Sequence, residues 1–304
     1  MTSLVAVRPA SAAQFPAIPF GRLLRAEWRK ATGTRAARWL LVAVALTTIG
    51  GLEIPLLFPH DVAQTRASYL TWAGLGLTRL LPIVLMLAMT AEWSQRTAMT
   101  TFTQEPRRGR VLAAKIAAGM GISLAGAVYA FAVTELVVAA AQLAGRHIAV
   151  GWNWPQLAGF AAFVLLISGI GIAFGALLHN TAVAIVTYFV LGGALSLLMI
   201  PALQSAGNWV NTGQTYGWVL DGQWAGHGAQ IATSMLLWVV LPLATGIVRT
   251  RRRAVRLAWR AGPGAQLVQL PGRAGRVVIE HGNQQGVLVD RLGDRRRGGD
   301  DGSR

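Results

Sequence analysis

Apolar and polar positions alternate along this chain in long blocks rather than residue by residue. Six apolar blocks, at about 38–58, 69–91, 111–143, 155–178, 181–203 and 229–248, each offer the roughly 20 residues that a helix needs to cross a bilayer. None shows the period-two alternation of a membrane barrel. The pattern predicts an all-α integral membrane protein with six transmembrane helices. The third block exceeds the needed length, so its first turns are predicted to extend beyond the bilayer, or the helix to tilt. Only His179 and Asn180 separate the fourth and fifth blocks, which predicts a tight helical hairpin. A polar and basic stretch, Glu92–Lys115 (EWSQRTAMTTFTQEPRRGRVLAAK), spans the break between the second and third.

Charge orients this pattern. The chain is 53% hydrophobic and 13% charged, against about 25% charged in soluble proteins. Of its 28 Lys and Arg, seven lie up to Arg38, five in the central stretch and thirteen from Arg249 onward, leaving Arg66, Arg79 and Arg146 elsewhere. Basic loops beside spanning helices stay in the cytoplasm, so both termini and the central stretch are expected inside. Trp152, Trp154, Trp209, Trp218 and Trp224 fall in the loops this leaves outside, as an interfacial aromatic belt would. The net charge of +16 is thereby explained without a nucleic-acid partner.

The chain divides into three parts. Residues 1–20 read as a disordered leader with three prolines, one basic residue and no continuous apolar core, unlike a signal peptide. Residues 21–250 form the membrane domain. It opens with an amphipathic helix over Gly21–Arg38 that is expected to lie on the inner leaflet. Leu23, Leu24, Trp28 and Ala31 line one side and Arg22, Arg25 and Arg29 the other. Glu27 interrupts the apolar side unless it pairs with Lys30 or an inner-leaflet group. Residues 251–304 form a basic tail rich in Gly, Arg and Asp, expected to be mostly disordered apart from a small hairpin pairing 277–279 with 287–289.

Candidate chemistry is sparse. Neither lysine, Lys30 or Lys115, is followed by Ser or Thr or ends a Gly-rich phosphate loop, so the chain carries no P-loop ATPase. There is no cysteine, no HExxH or GxSxG motif, and the five histidines are scattered; no catalytic residue or metal site is expected. Glu53, Arg79 and Glu135 fall inside predicted spans, where a charge must face protein or water. Glu53 and Arg79 reach comparable depths. The two readings are an ion pair between neighbouring helices, with Arg79 joined to Glu53 or Glu135, and a polar lining of a translocation path. In the fourth block Gly171 and Gly175 form a small-xxx-small face for close helix packing or a subunit contact.

The central stretch carries a further pattern: Glu92–Trp93, Arg96–Thr97, Thr100–Thr101–Phe102, Glu105–Pro106–Arg107–Arg108, Arg110–Val111–Leu112 and Lys115. It resembles the loop between the second and third helices of type-2 ABC exporter permeases. LLRAEWRK, near the N-terminus, is similar to the first helix of that family, and the likeness covers roughly residues 20 to 250. The basic tail is a departure. The resemblance implies a permease without its own ATPase, as a homodimer or paired with a second permease, working with two ABC ATP-binding subunits that hold the ATP and Mg. It also implies that part of 203–218 dips back into the membrane and that the central stretch forms a coupling helix. Pro106 disfavours helical geometry at Glu105, so such a helix ends near Gln104. It then presents Thr97, Thr100, Thr101 and Phe102 to the ATPase. The alternatives are a secondary transporter or channel, and a membrane scaffold using its basic tail.

Overall fold

The computed structural model describes residues 18–94, 108–149, 151, 154–196 and 204–250, and these fold as helices joined by short connections. The leader up to residue 17, the expected coupling residues Thr97, Thr100, Thr101 and Phe102, and the tail with its hairpin all lie outside the described residues.

Helix α1 (Phe20–Gly33) buries Leu23, Glu27 and Ala31, one residue per turn, and leaves its arginines exposed. The chain extends at Thr34, whose hydroxyl oxygen accepts from the Ala37 amide and caps helix α2 (Arg35–Leu57). Exposed Trp39, Val42, Leu46 and Ile49 run down one face of α2, the arrangement expected of a helix against lipid.

The second apolar block is one span, Arg66–Glu92, made of three pieces: α3 (Arg66–Ala73), α4 (Leu75–Arg79) and α5 (Leu81–Ser94). The breaks fall at Gly74 and at Leu80, just before Pro82, whose ring removes one amide donor. Glycines let the broken span sit directly on its neighbours. A Cβ at Gly76 would run into the Thr47 hydroxyl and lie 2.6 Å from the Val44 carbonyl of α2.

Helix α6 (Arg108–Leu143) is continuous over 36 residues, about 54 Å at 1.5 Å per residue, against a hydrocarbon core of about 30 Å. The first part of this surplus packs along α1, where Gly121 accepts the Trp28 ring. Helix α7 (Trp154–Leu178) is joined to α8 (Thr181–Ser196) by the two-residue joint the sequence predicts, with His179 in the left-handed region at φ 52°. Two short helices follow, α9 (Gln204–Val210) and α10 (Thr212–Leu220). Helix α10 lies against α7 with Tyr216 fully buried. The last helix, α11 (Trp224–Thr250), contains a single π-helical turn at Leu236–Val240.

The core sits between the broken span and α7. In the most apolar stretch of each of those two spans 61% and 56% of the residues are buried, against 11% in that of α11. In all, five helices are long and apolar enough to cross a membrane, as befits a multi-pass membrane protein. Helix α8 is described over 16 residues, about 24 Å, and the rest of the fifth expected block lies outside the described residues.

Candidate functional site

Four charged side chains meet where α1, α5 and α6 converge. Lys30 Nζ lies 2.7 Å from Glu27 Oε1 and 3.1 Å from Glu92 Oε1; Lys115 Nζ lies 3.4 Å from Glu27 Oε2 and 3.2 Å from Glu92 Oε2. Each carboxylate thus spans both ammonium groups. Glu27, Glu92 and Lys115 are buried, and Lys30 is half-exposed. Charges removed from water this way are tolerated only when paired and hydrogen-bonded, and this square of opposite charges meets that condition. Burial of the Lys30 ammonium works to lower its pKa, but the hydrogen bonds and charges of Glu27 and Glu92 outweigh it and hold Lys30 above its ordinary value.

The arrangement follows from local sequence. Glu27 occupies the buried face of α1 between Leu23 and Ala31, four residues from each. Glu92 stands in the last turn of α5, and Lys115 two turns into α6. The helices on either side of the polar stretch 95–107 are therefore both joined, through Glu92 before it and Lys115 after it, to one amphipathic helix. Sequence reasoning singled out Glu27 as an anomaly on an apolar face. It missed that Lys115, a cation just inside an apolar block, is the complementary anomaly.

Three further contacts gather at the same end of the bundle. The Thr90 and Thr181 hydroxyls are 2.6 Å apart, tying α5 to the start of α8. His179 Nε2 lies 3.0 Å from the Thr250 hydroxyl, and Arg249 donates to the Leu177 carbonyl, tying the α7–α8 joint to the end of α11.

The expected pairing of Arg79 with Glu53 or Glu135 is not made. Glu135, on α6, pairs instead with Arg66 at 3.6 Å. Arg66 opens α3, and counting depth along the spans did not foresee that this arginine faces α6. Glu53 is exposed on α2 and Arg79 is exposed at the end of α4; among the described residues neither makes an ion pair. Arg79 lines a cavity of about 410 Å³ walled by Phe163, Phe174, Tyr188 and Trp238.

Gly171 and Gly175 face α5. A Cβ at Gly171 would lie 2.7 Å from the Pro82 carbonyl oxygen, and one at Gly175 would lie 2.7 Å from Met89 Cβ. The small face of α7 is thus used inside this chain. Among the described residues no group of three or more His, Cys, Asp or Glu is arranged to hold a metal ion.

No family model, curated protein or solved structure matches this chain.

Proposed function

We propose that this protein is the membrane-spanning subunit of an ATP-driven exporter of the type-2 ABC class, moving its substrate across the cytoplasmic membrane of a bacterium with energy from separate ATP-binding subunits. One observation carries the reading. The square of Glu27, Lys30, Glu92 and Lys115 joins the helices on either side of the 95–107 stretch to α1, so force applied to that stretch would be delivered to three helices together. A connection that merely linked two helices would need no such buried anchorage, which costs desolvation at every charge. The lack of a phosphate-binding loop adds support, since a transport bundle without an energy source needs a partner.

On this reading six spans run with both termini inside, the fifth of them being the apolar block that begins with α8. Two such chains, or this chain and a second permease, pair with two ABC ATPases that bind ATP and Mg. Thr97, Thr100, Thr101 and Phe102 form the docking surface. Phe102 supplies an aromatic anchor and the threonines a hydrogen-bonding rim.

The test is co-purification. Expressed with an ABC ATPase encoded beside it, the wild-type chain should retain that ATPase through size-exclusion chromatography. Phe102→Ala combined with Thr101→Arg should leave membrane insertion intact and abolish the association or the coupled export. Arg107→Ala and Arg108→Ala should act more weakly, because their side chains are expected among lipid head groups. Full transport by the Phe102/Thr101 double variant rejects the docking role.

A further inference from the structure

Three departures from regular helix converge on the 410 Å³ cavity. The span 66–92 breaks at Leu80, beside Arg79; α9 and α10 part at Asn211; and α11 widens into its π turn at Leu236–Val240. Irregular backbone at membrane depth persists where it lines a cavity, and π turns recur at functional sites. Here the π turn holds Trp238 in the wall. Its Nε1 donates to the Val210 carbonyl at 2.8 Å, and its ring stacks on Phe174 with centroids 6.4 Å apart. The cavity volume falls within the range of small-molecule sites.

Its lining is one-sided in chemistry. Among the described residues, aromatic and aliphatic groups form most of the wall, and the single charge is Arg79, midway between Arg66 and Glu92 along the span. A guanidinium does not discharge by losing its proton. Among the described residues no carboxylate lies within ion-pairing reach of it. The start of α10 also borders the cavity, but the Asn211 side chain already accepts from the Gly213 and Gln214 amides there, so the attraction for an anion rests with Arg79.

We propose that this cavity binds an amphipathic anion, with its carboxylate, sulfonate or phosphate on Arg79 and its apolar body between Phe163, Phe174 and Trp238. The proposal goes beyond the exporter reading and does not depend on it. An occupant of this kind satisfies both features at once: the anion neutralises the guanidinium and the apolar body fills the aromatic walls.

Binding is measured on the full chain in phosphatidylcholine nanodiscs without any ATPase, using dansyl-undecanoate, its methyl ester and a dansyl-alkyltrimethylammonium, each corrected with empty discs. Wild-type protein should bind the carboxylate at least tenfold more tightly than the ester or the cation. Arg79→Gln should remove that preference and Arg79→Lys should restore most of it, whereas Phe163→Ala should weaken carboxylate and ester alike. With that preference in place, displacement of the probe by phosphatidylglycerol in the disc supports an anion drawn from the bilayer, and resistance to displacement supports one drawn from the aqueous phase. Equal wild-type affinity for carboxylate and ester, or no binding above empty discs, overturns the proposal without recourse to any variant. A preserved anion preference in a chain that fails to retain an ATPase would sink the exporter reading alone.

Discussion

At Lys115 the cost of a charge in this molecule can be compared with its cost elsewhere. The buried ammonium serves both Glu27 and Glu92. Lys115→Met leaves two buried carboxylates sharing the half-exposed Lys30 and is expected to cost about 3–5 kcal/mol. Adding Glu27→Gln should return part of that. Arg66 and Glu135 are 20% and 31% exposed and 3.6 Å apart, less buried than the square, so Glu135→Gln should cost less than Lys115→Met. Thermal unfolding in detergent, followed by size-exclusion recovery, ranks the variants; equal losses at the two sites would refute the ordering. Lys30 also sets a pH expectation. Its pKa is raised on folding, so its contribution is fully present below the unfolded value and is lost only as pH rises through the folded one. Recovery of wild type should therefore show no Lys30-dependent change between pH 6 and 9, set by comparison with Lys30→Met, and a Lys30-dependent loss only in stronger alkali. Half of this site was legible in advance: a glutamate at 27 on an apolar helical face demands a partner. Lys30, expected as that partner, does pair with it at 2.7 Å; the second partner was not legible, because Lys115 lies 88 positions along the chain and nothing local records that α6 returns to α1.

At the scale of elements, apolar runs located the helices well because lipid imposes one requirement on every span. Block edges at 38–58, 111–143 and 155–178 correspond to helices Arg35–Leu57, Arg108–Leu143 and Trp154–Leu178. The breaks at Gly74 and Leu80 and the π turn at Leu236–Val240 were missed. A uniformly apolar run has no polar phase to slip, so a change of helical register leaves no trace in the pattern. The close seam between α5 and α7 is a testable consequence of the glycine spacing. Gly175→Leu drives a side chain into Met89 and the Met86 backbone, and should cost about 1–3 kcal/mol or prevent folding. Gly50→Ala, on α2, meets nothing within 4 Å and should leave stability unchanged or slightly raised. Similar yields from the two variants would show that the seam is looser than the geometry requires.

For the molecule as a whole, the prediction concerns sidedness. Reporter fusions within 95–107 and after Arg253 should report cytoplasm, and fusions at Gly151 and Gly213 should report the exterior, because basic segments resist export. An external signal from 95–107 would overturn the exporter architecture and the docking surface with it.

The undivided length of α6 has a mechanical consequence. It is a stiff rod with its foot at the charge square and its upper part meeting Arg66 through Glu135, while the neighbouring span 66–92 is jointed in two places. Tilting a rod of about 54 Å by 5° about its foot carries its far end about 5 Å. A small displacement at one surface is thereby magnified at the other, and the jointed neighbour can absorb the difference by bending. Because the chain has no cysteine, spin-label pairs can be installed at single introduced cysteines without removing any native ones. Labels at Leu143 and Leu57 should change separation when the 95–107 connection is occupied by a partner, while a pair within α6 should hold its distance. A fixed separation in the first pair would mean that the rod does not move as a lever.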